Sequence, residues 1–301
     1  MTSANDSDVQ QTHQTMATKR VDGGRKSIVA VARHGERLDY VKRDRDRVNW
    51  VKTADQPWNP PLTDRGKEQG KALGRYLYNV LKERDLPPLG LSVYSSPLLR
   101  CRSTAAAAIE GYQEQESSSS SSEPTRRVRV EEGLIETINQ DWYRSWALPS
   151  SDGTWGHRER DEHGNTIDPT KAELHPAAQS PIQDMVLDWK TTTENEDWMD
   201  YDYESTTRIT TEHCWGLWET RPDLQERMAR VLSTVAKPGE CTLLLSHGGP
   251  VTFLFSHLTQ ESWKVHGISS YACFSLYEQE EENGRWIPLV VNESRHVQDL
   301  K

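Results

Sequence analysis

Two short stretches of this chain are apolar at almost every position: Ile28-Val29-Ala30-Val31-Ala32 and Cys241-Thr242-Leu243-Leu244-Leu245. A strand with one wet face alternates apolar and polar residues, whereas an unbroken apolar run belongs to a strand covered on both faces. Covering both faces takes helices on either side of a sheet, and parallel neighbours need crossovers long enough to contain them. The rest of the pattern agrees. A helix is expected to start at Thr63-Asp64 and to run past Leu73, Leu77 and Leu81. Leu91-Ser92-Val93-Tyr94 reads as a strand followed by a helix over about 97–109. Arg127-Val128-Arg129-Val130 is a further strand, and 222–235 a further helix. The end reads as two strands, 272–277 and 286–291, joined around Asn283-Gly284, a hairpin signal. The expected fold class is α/β, a three-layer αβα sandwich on a mostly parallel central sheet, with a long polar insertion.

The chain is long enough, at 301 residues, for one large domain. Residues 1–26 carry almost no large apolar side chains and are expected to form a disordered tail ahead of a domain over 27–301. Six consecutive serines mark 113–125 as a low-complexity loop. Over 142–218 the periodic pattern dissolves into Asp, Glu, Thr and Pro together with seven of the eleven tryptophans. Residues 151–212 hold 15 acidic and 5 basic side chains, which accounts for the whole net charge of −10. An acidic excess argues against a nucleic-acid partner, which would need a basic footprint. The most apolar window, 243–258, is interrupted by His247, Gly248, Gly249, Pro250 and His257, so no membrane span is expected. No secretory signal stands near Met1, and the four cysteines form no CxxC pair. Reduced thiols and a cytoplasmic location are the expectation.

The chemistry concentrates where the two apolar runs end. Arg33-His34-Gly35-Glu36-Arg37 follows the first. Ligands of open α/β sheets bind beyond the carboxyl ends of the strands. Fork-shaped guanidinium donors suit phosphate oxygens, and a neutral imidazole between them can attack phosphorus. From composition alone, Arg-His-Gly-Glu should occur in about one chain in a thousand, so a solvated basic loop with an incidental histidine is the weaker account. His247-Gly248-Gly249-Pro250 follows the second run. Alone, His247 would be read as a hydrogen-bonded core histidine; beside His34 it reads as a site residue. Tyr94-Ser95-Ser96-Pro97-Leu98-Leu99-Arg100 turns a strand into a helix and puts Arg100 in the first turn, where anions are favoured. Glu131-Glu132-Gly133-Leu134-Ile135-Glu136 offers carboxyls for general acid work, or merely solvated acids on a loop.

In order along the chain, Arg33-His34-Gly35-Glu36, Ser95-Ser96-Pro97-Leu98-Leu99-Arg100 with Thr104-Ala105, and Ser246-His247-Gly248 resemble the motifs of the histidine phosphatase superfamily, the phosphoglycerate mutase-like fold. The likeness spans about 27–291, excluding the middle stretch. It is nearest to the phosphatase domains of the TULA/Sts proteins and the ecdysteroid-phosphate phosphatases. The resemblance implies that His34 is the nucleophile that becomes phosphohistidine, and that Arg33, Arg37, Arg100 and His247 hold the phosphoryl oxygens. It makes Glu136 the proton donor, with Glu132 the rival in another register. It implies no metal and no cofactor.

Asp39 stands where the acid phosphatase and phytase branch carries proline, and the residues ahead of the core are too few for the ubiquitin-binding or SH3 modules of the TULA/Sts proteins. The expected function is therefore a metal-independent phosphomonoesterase acting on a small-molecule phosphomonoester or a phosphoprotein. A bulky aryl or steroid-like phosphate and phosphotyrosine are the substrate options. A mutase-type phosphotransferase and an inactive phosphate-binding protein of the same fold are the alternatives. The acidic insertion argues against the first, and the presence of Arg33, His34, Arg100 and His247 against the second. The tryptophans of 142–218 either wall the phosphate pocket as a cap or anchor a long polar excursion to the surface. The sequence leaves the oligomeric state open, a homodimer included.

Overall fold

The computed structural model describes residues 26–116, 125–137, 145–146, 148–154, 156–167, 189–190, 196–209, 219–280 and 284–300. Six strands, β1 (Ile28–Arg33), β2 (Leu89–Ser95), β3 (Arg127–Val130), β4 (Cys241–Ser246), β5 (Phe274–Gln279) and β6 (Trp286–Glu293), form one sheet in the order β3-β2-β4-β1-β5-β6. β3, β2, β4 and β1 run parallel, while β5 and β6 close the sheet as an antiparallel pair. Five helices accompany it among the described residues: α1 (Leu38–Asp44), α2 (Asp64–Glu83), α3 (Leu99–Glu116), α4 (Arg221–Val235) and α5 (Gly248–Thr259). None is long and apolar enough to cross a membrane.

β1 shows why the apolar runs demand this architecture. Ile28, Ala30 and Ala32 pack with Leu73 and Leu77 of α2 and Ala105 and Ala108 of α3. Val29 and Val31 face the other way, onto Leu224, Met228 and Val231 of α4 and Leu254 of α5. Every residue from Ile28 to Ala32 is fully buried. At roughly 1.5–3 kcal/mol for each fully buried large aliphatic side chain, covering both faces is what makes the central strands favourable. Local signals set the helix starts: the Thr63 hydroxyl accepts from Gly66 N at the head of α2, and Thr220 and Asp223 form a reciprocal cap on α4.

The structure departs from the sequence expectation in several places. α3 starts at Leu99 and continues to Glu116, so 113–116 belong to a helix rather than to the serine-rich loop. Its end is fixed by Arg126, whose guanidinium meets the Glu116 carboxylate and the Leu89 carbonyl. The strand expected over 272–277 begins at Phe274, and α1 was not anticipated at all. The 1–25 tail, the six serines and Asn283 lie outside the described residues.

Described parts of 142–218 are fastened to the domain at two places. Glu131, fully buried after β3, accepts hydrogen bonds from the Tyr203 and Ser205 hydroxyls, from Thr206 N and Oγ1, and from Thr207 N. Met199 bridges to Val128, and Trp189 and Trp198 pack against the core. On the other side, Asn49 Nδ2 donates to the Ser151 carbonyl and Arg43 to Thr154 Oγ1.

α2 and α3 touch backbone to backbone. A Cβ on Gly74 would run into the Ala108 carbonyl, and one on Gly111 into the carbonyl of Lys71. Gly74→Ala is expected to lower stability by at least about 2 kcal/mol, since neither backbone can retreat cheaply. Chemical denaturation of the variant beside a surface control such as Lys67→Ala measures it.

Candidate active site

Parallel register brings the two sequence-distant histidines together. Arg33 at the end of β1 is the register partner of Ser246 at the end of β4, so His34 and His247 are the next residues on neighbouring strands. Their ring centroids are 5.3 Å apart, and both rings are buried. His34 N donates to the Ser246 carbonyl at 3.0 Å, which ties the two strand ends directly.

Hydrogen bonding assigns the tautomers. His34 Nδ1 lies 2.7 Å from the Gly35 carbonyl, which only accepts, so Nδ1 carries the proton and Nε2 keeps its lone pair. Arg100 approaches His247 Nδ1 at 3.2 Å, and a guanidinium only donates, so the His247 proton sits on Nε2 and points to Ser96 Oγ at 2.8 Å. Burial holds both histidines well below the usual imidazole range, and neighbouring Arg100, Arg33 and Arg37 push in the same direction. The result is a pair of neutral imidazoles among guanidiniums.

The loop that carries His34 is shaped by close packing. A Cβ on Gly35 would collide with the Gly66 carbonyl in the first turn of α2. Gly35 N is received by Thr104 Oγ1 of α3 at 3.0 Å. Glu36 belongs to this scaffold, since it accepts from Thr63 and Arg65.

Arg33 donates from Nη1 to the Ser269 carbonyl at 2.6 Å, lies 4.4 Å from the Tyr271 ring, and leaves its buried Nε without a partner among the described residues. Arg100 sits in the first turn of α3, fully buried, with Nη1 toward the Trp58 carbonyl at 3.4 Å. The helix start itself is capped from afar by Asn59, whose side chain accepts from Leu99 N at 2.8 Å. Arg37 is also buried, and Asp39 takes its Nε and Nη2 at 3.0 and 2.8 Å. Cys101 Sγ is 3.4 Å from His247 Nε2, but burial pushes this thiol up to about 12, so it stays protonated and inert.

The two candidate proton donors part company. Glu136 Oε2 lies 3.9 Å from His247 Nδ1, while Oε1 accepts from Thr137 N at 3.0 Å. Glu132 turns away and accepts from Ile209 N at 2.8 Å. The loop between them is held by Arg227 of α4, which donates to the Gly133 and Ile135 carbonyls at 2.5 and 3.1 Å and is paired with Glu219. The structure thus brings Arg33, His34, Arg37, Arg100, Glu136 and His247 to one end of the sheet. Sequence reasoning missed Ser96, Asn59, Arg227, Tyr271 and Trp146. Of these, only Ser96 lay inside a recognised motif.

Residues 29–173 match the family model of the histidine phosphatase superfamily (branch 1). That stretch includes Arg33, His34, Arg37, Arg100 and Glu136, extends into the 142–218 region and stops before His247. A crystal structure of ecdysone phosphate phosphatase from Bombix mori, in complex with tungstate, is similar over 89% of this chain and 93% of its own, with a TM-score of 0.51 and 16% identity. A phosphoglycerate mutase from Bacillus anthracis str. Sterne aligns over 91% and 96%, with a TM-score of 0.47 and 15% identity. At 16% identity the likeness to the first of these is one of fold: the domain has the phosphoglycerate mutase-like architecture. No curated protein matches the chain.

The depressed histidines have a consequence for stability. Unfolded histidine binds a proton near pH 6.5, whereas His34 and His247 resist it in the folded state. Stability is therefore whole above about pH 6.5 and declines as pH falls below it, by up to about 1.4 kcal/mol per pH unit for each histidine. Denaturation midpoints between pH 7.5 and 5 should fall, and the slope should flatten in His34→Asn.

Proposed function

We propose, from the premise that residues 29–173 carry the sequence pattern of the histidine phosphatase superfamily, that this protein is a phosphomonoesterase with His34 as its nucleophile. The observation that carries this reading is the His34 tautomer: Nδ1 is committed to the Gly35 carbonyl, so the Nε2 lone pair is available in a buried, cationic pocket.

The chemistry then runs in two balanced steps. Nε2 of His34 forms a bond to phosphorus as the ester P–O bond breaks, and the departing oxygen takes the Glu136 proton. Water then gives a proton to Glu136, its oxygen bonds to phosphorus, and the P–N bond breaks to release phosphate and neutral His34. Arg33, Arg100 and the donors of Arg37 offset the charge on the phosphoryl oxygens, the main task in phosphoryl transfer. His247, neutral with its proton on Nε2 toward Ser96, acts on those oxygens through Arg100, which its Nδ1 receives. With three guanidiniums in that role, the reading needs no metal.

A small phosphomonoester or a phosphoprotein side chain is the substrate class, with aryl and steroid-like phosphates or phosphotyrosine first among them. The likeness in fold to an enzyme named for ecdysone phosphate lends this list its order and nothing more.

Hydrolysis of para-nitrophenyl phosphate in excess EDTA tests the proposal. Wild-type protein should turn over, and His34→Ala should lose at least about a thousandfold in kcat. Glu136→Gln should lose about a hundredfold or more, with Glu132→Gln close to wild type. Because His34 must be neutral to attack, kcat/KM should rise with pH through an acid limb lying below pH 6.5. Activity persisting in His34→Ala, or abolished by EDTA, would overturn it.

A further inference from the structure

We propose that Trp146 is a positioning residue of the phosphate cradle, acting through Arg37. The inference rests on the phosphate-site reading above and concerns how one of its arms is held.

Arg37 is 2% exposed and Asp39 3%. Asp39 occupies Nε and Nη2 together, so the pair is neutral as a unit. At a distance such a pair attracts an anion weakly. What Arg37 can offer a phosphoryl group is a directed N–H at contact range, and that strength falls steeply with misalignment. The hold on the guanidinium's orientation therefore decides what Arg37 is worth.

Asp39 fixes the guanidinium along one edge, but two hydrogen bonds on one edge still permit it to tilt. Among the described residues, two rings stand against that tilt. Tyr40 lies 4.2 Å from the guanidinium carbon and Trp146 lies 4.7 Å from it. The ring centroids are 6.3 Å apart, so the two directions from the guanidinium carbon meet at about a right angle. Tyr40 and Trp146 thus stand as two sides of a corner around Arg37. Tyr40 also faces Arg43 at 4.5 Å.

Trp146 is itself immobilised. It is fully buried, and the adjoining Ser145 hydroxyl receives Gly156 N at 3.1 Å. Leu148 accepts from Ser151 N, and the Ser151 carbonyl is held by Asn49, just beyond α1. The ring reaches Arg37 from a segment tied to Asn49 and, through Thr154, to Arg43 of α1, the helix that begins beside Arg37.

A tryptophan that merely filled a gap would affect folding and leave the phosphate contact alone, and a double-mutant cycle separates the two cases. Trp146→Met keeps an apolar side chain of similar reach and removes the ring face; Trp146→Phe keeps a ring. Orthophosphate binding to the full chain, by calorimetry, is read beside the KM and kcat for para-nitrophenyl phosphate and the thermal midpoint. Trp146→Met should weaken orthophosphate and raise KM by about 3- to 30-fold, with a smaller change in kcat. Trp146→Phe should recover most of that loss. In an Arg37→Ala background, Trp146→Met should change orthophosphate binding no further. Tyr40→Leu runs the same cycle through the other ring and serves if Trp146→Met does not fold.

Unchanged orthophosphate affinity in Trp146→Met, or an equal loss with and without Arg37, overturns the proposal while the phosphatase reading stands. Wild-type protein that binds no orthophosphate overturns both.

Discussion

The parallel pairing of β1 with β4 is the contact on which everything else depends. It joins residues more than two hundred positions apart, in a register that sets Arg33 opposite Ser246. From there the chain has little freedom. The next residue on each strand is a histidine, and His34 N bonds back to the Ser246 carbonyl. A register shift of one residue would exchange the two faces of each strand, burying the wrong set against α2 and α3. The same apolar packing that stabilises the sheet thus holds two imidazoles side by side at its carboxyl end.

Around that pair the fold concentrates guanidinium groups in places where water is scarce. Such charges persist only where hydrogen bonds and counter-ions offset the lost hydration. Arg37 is matched by Asp39 and Arg227 by Glu219. Arg33 donates to the main-chain carbonyl of Ser269, and Arg100 reaches that of Trp58 as well as His247 Nδ1. This division matters chemically. A carboxylate cancels the field an anionic ligand would feel, whereas a carbonyl satisfies a donor and leaves the charge in place. The buried histidines stay neutral in that field, one with a lone pair on Nε2, the other linked to Arg100 and Ser96.

The region between Glu136 and α4 joins this arrangement through Glu131 and Trp146. Glu131 gathers Tyr203, Ser205, Thr206 and Thr207 at the end of β3, just before the turn that leads to Glu136. Arg227 clasps that turn from below. The carboxyl nearest His247 is therefore placed by contacts from α4 on one side and from the insertion on the other.

Much of this was legible from residue order. Unbroken apolar runs demanded strands covered on both faces, because no half-exposed strand tolerates five apolar side chains in succession. Arg33, His34, Arg37, Arg100 and His247 stood at strand ends or a helix start, and a strand end is a fixed address in a parallel sheet. Helix α3 ran past its expected end because the Arg126 pairing with Glu116 comes from a residue ten positions away, across the serine-rich stretch. The choice between Glu132 and Glu136 could not be read from the sequence either. The two are four residues apart on a short turn, and their directions depend on Ile209 and Arg227, which approach from elsewhere. Trp146 was one tryptophan among seven in a polar stretch, and nothing in its neighbours marked it. The sequence by itself determined the layers, the strand ends and the identity of the groups there, since those follow from burial and local geometry. The tertiary structure alone decided which carboxyl meets His247 and which ring meets Arg37, since both depend on contacts between segments that only the completed fold brings together.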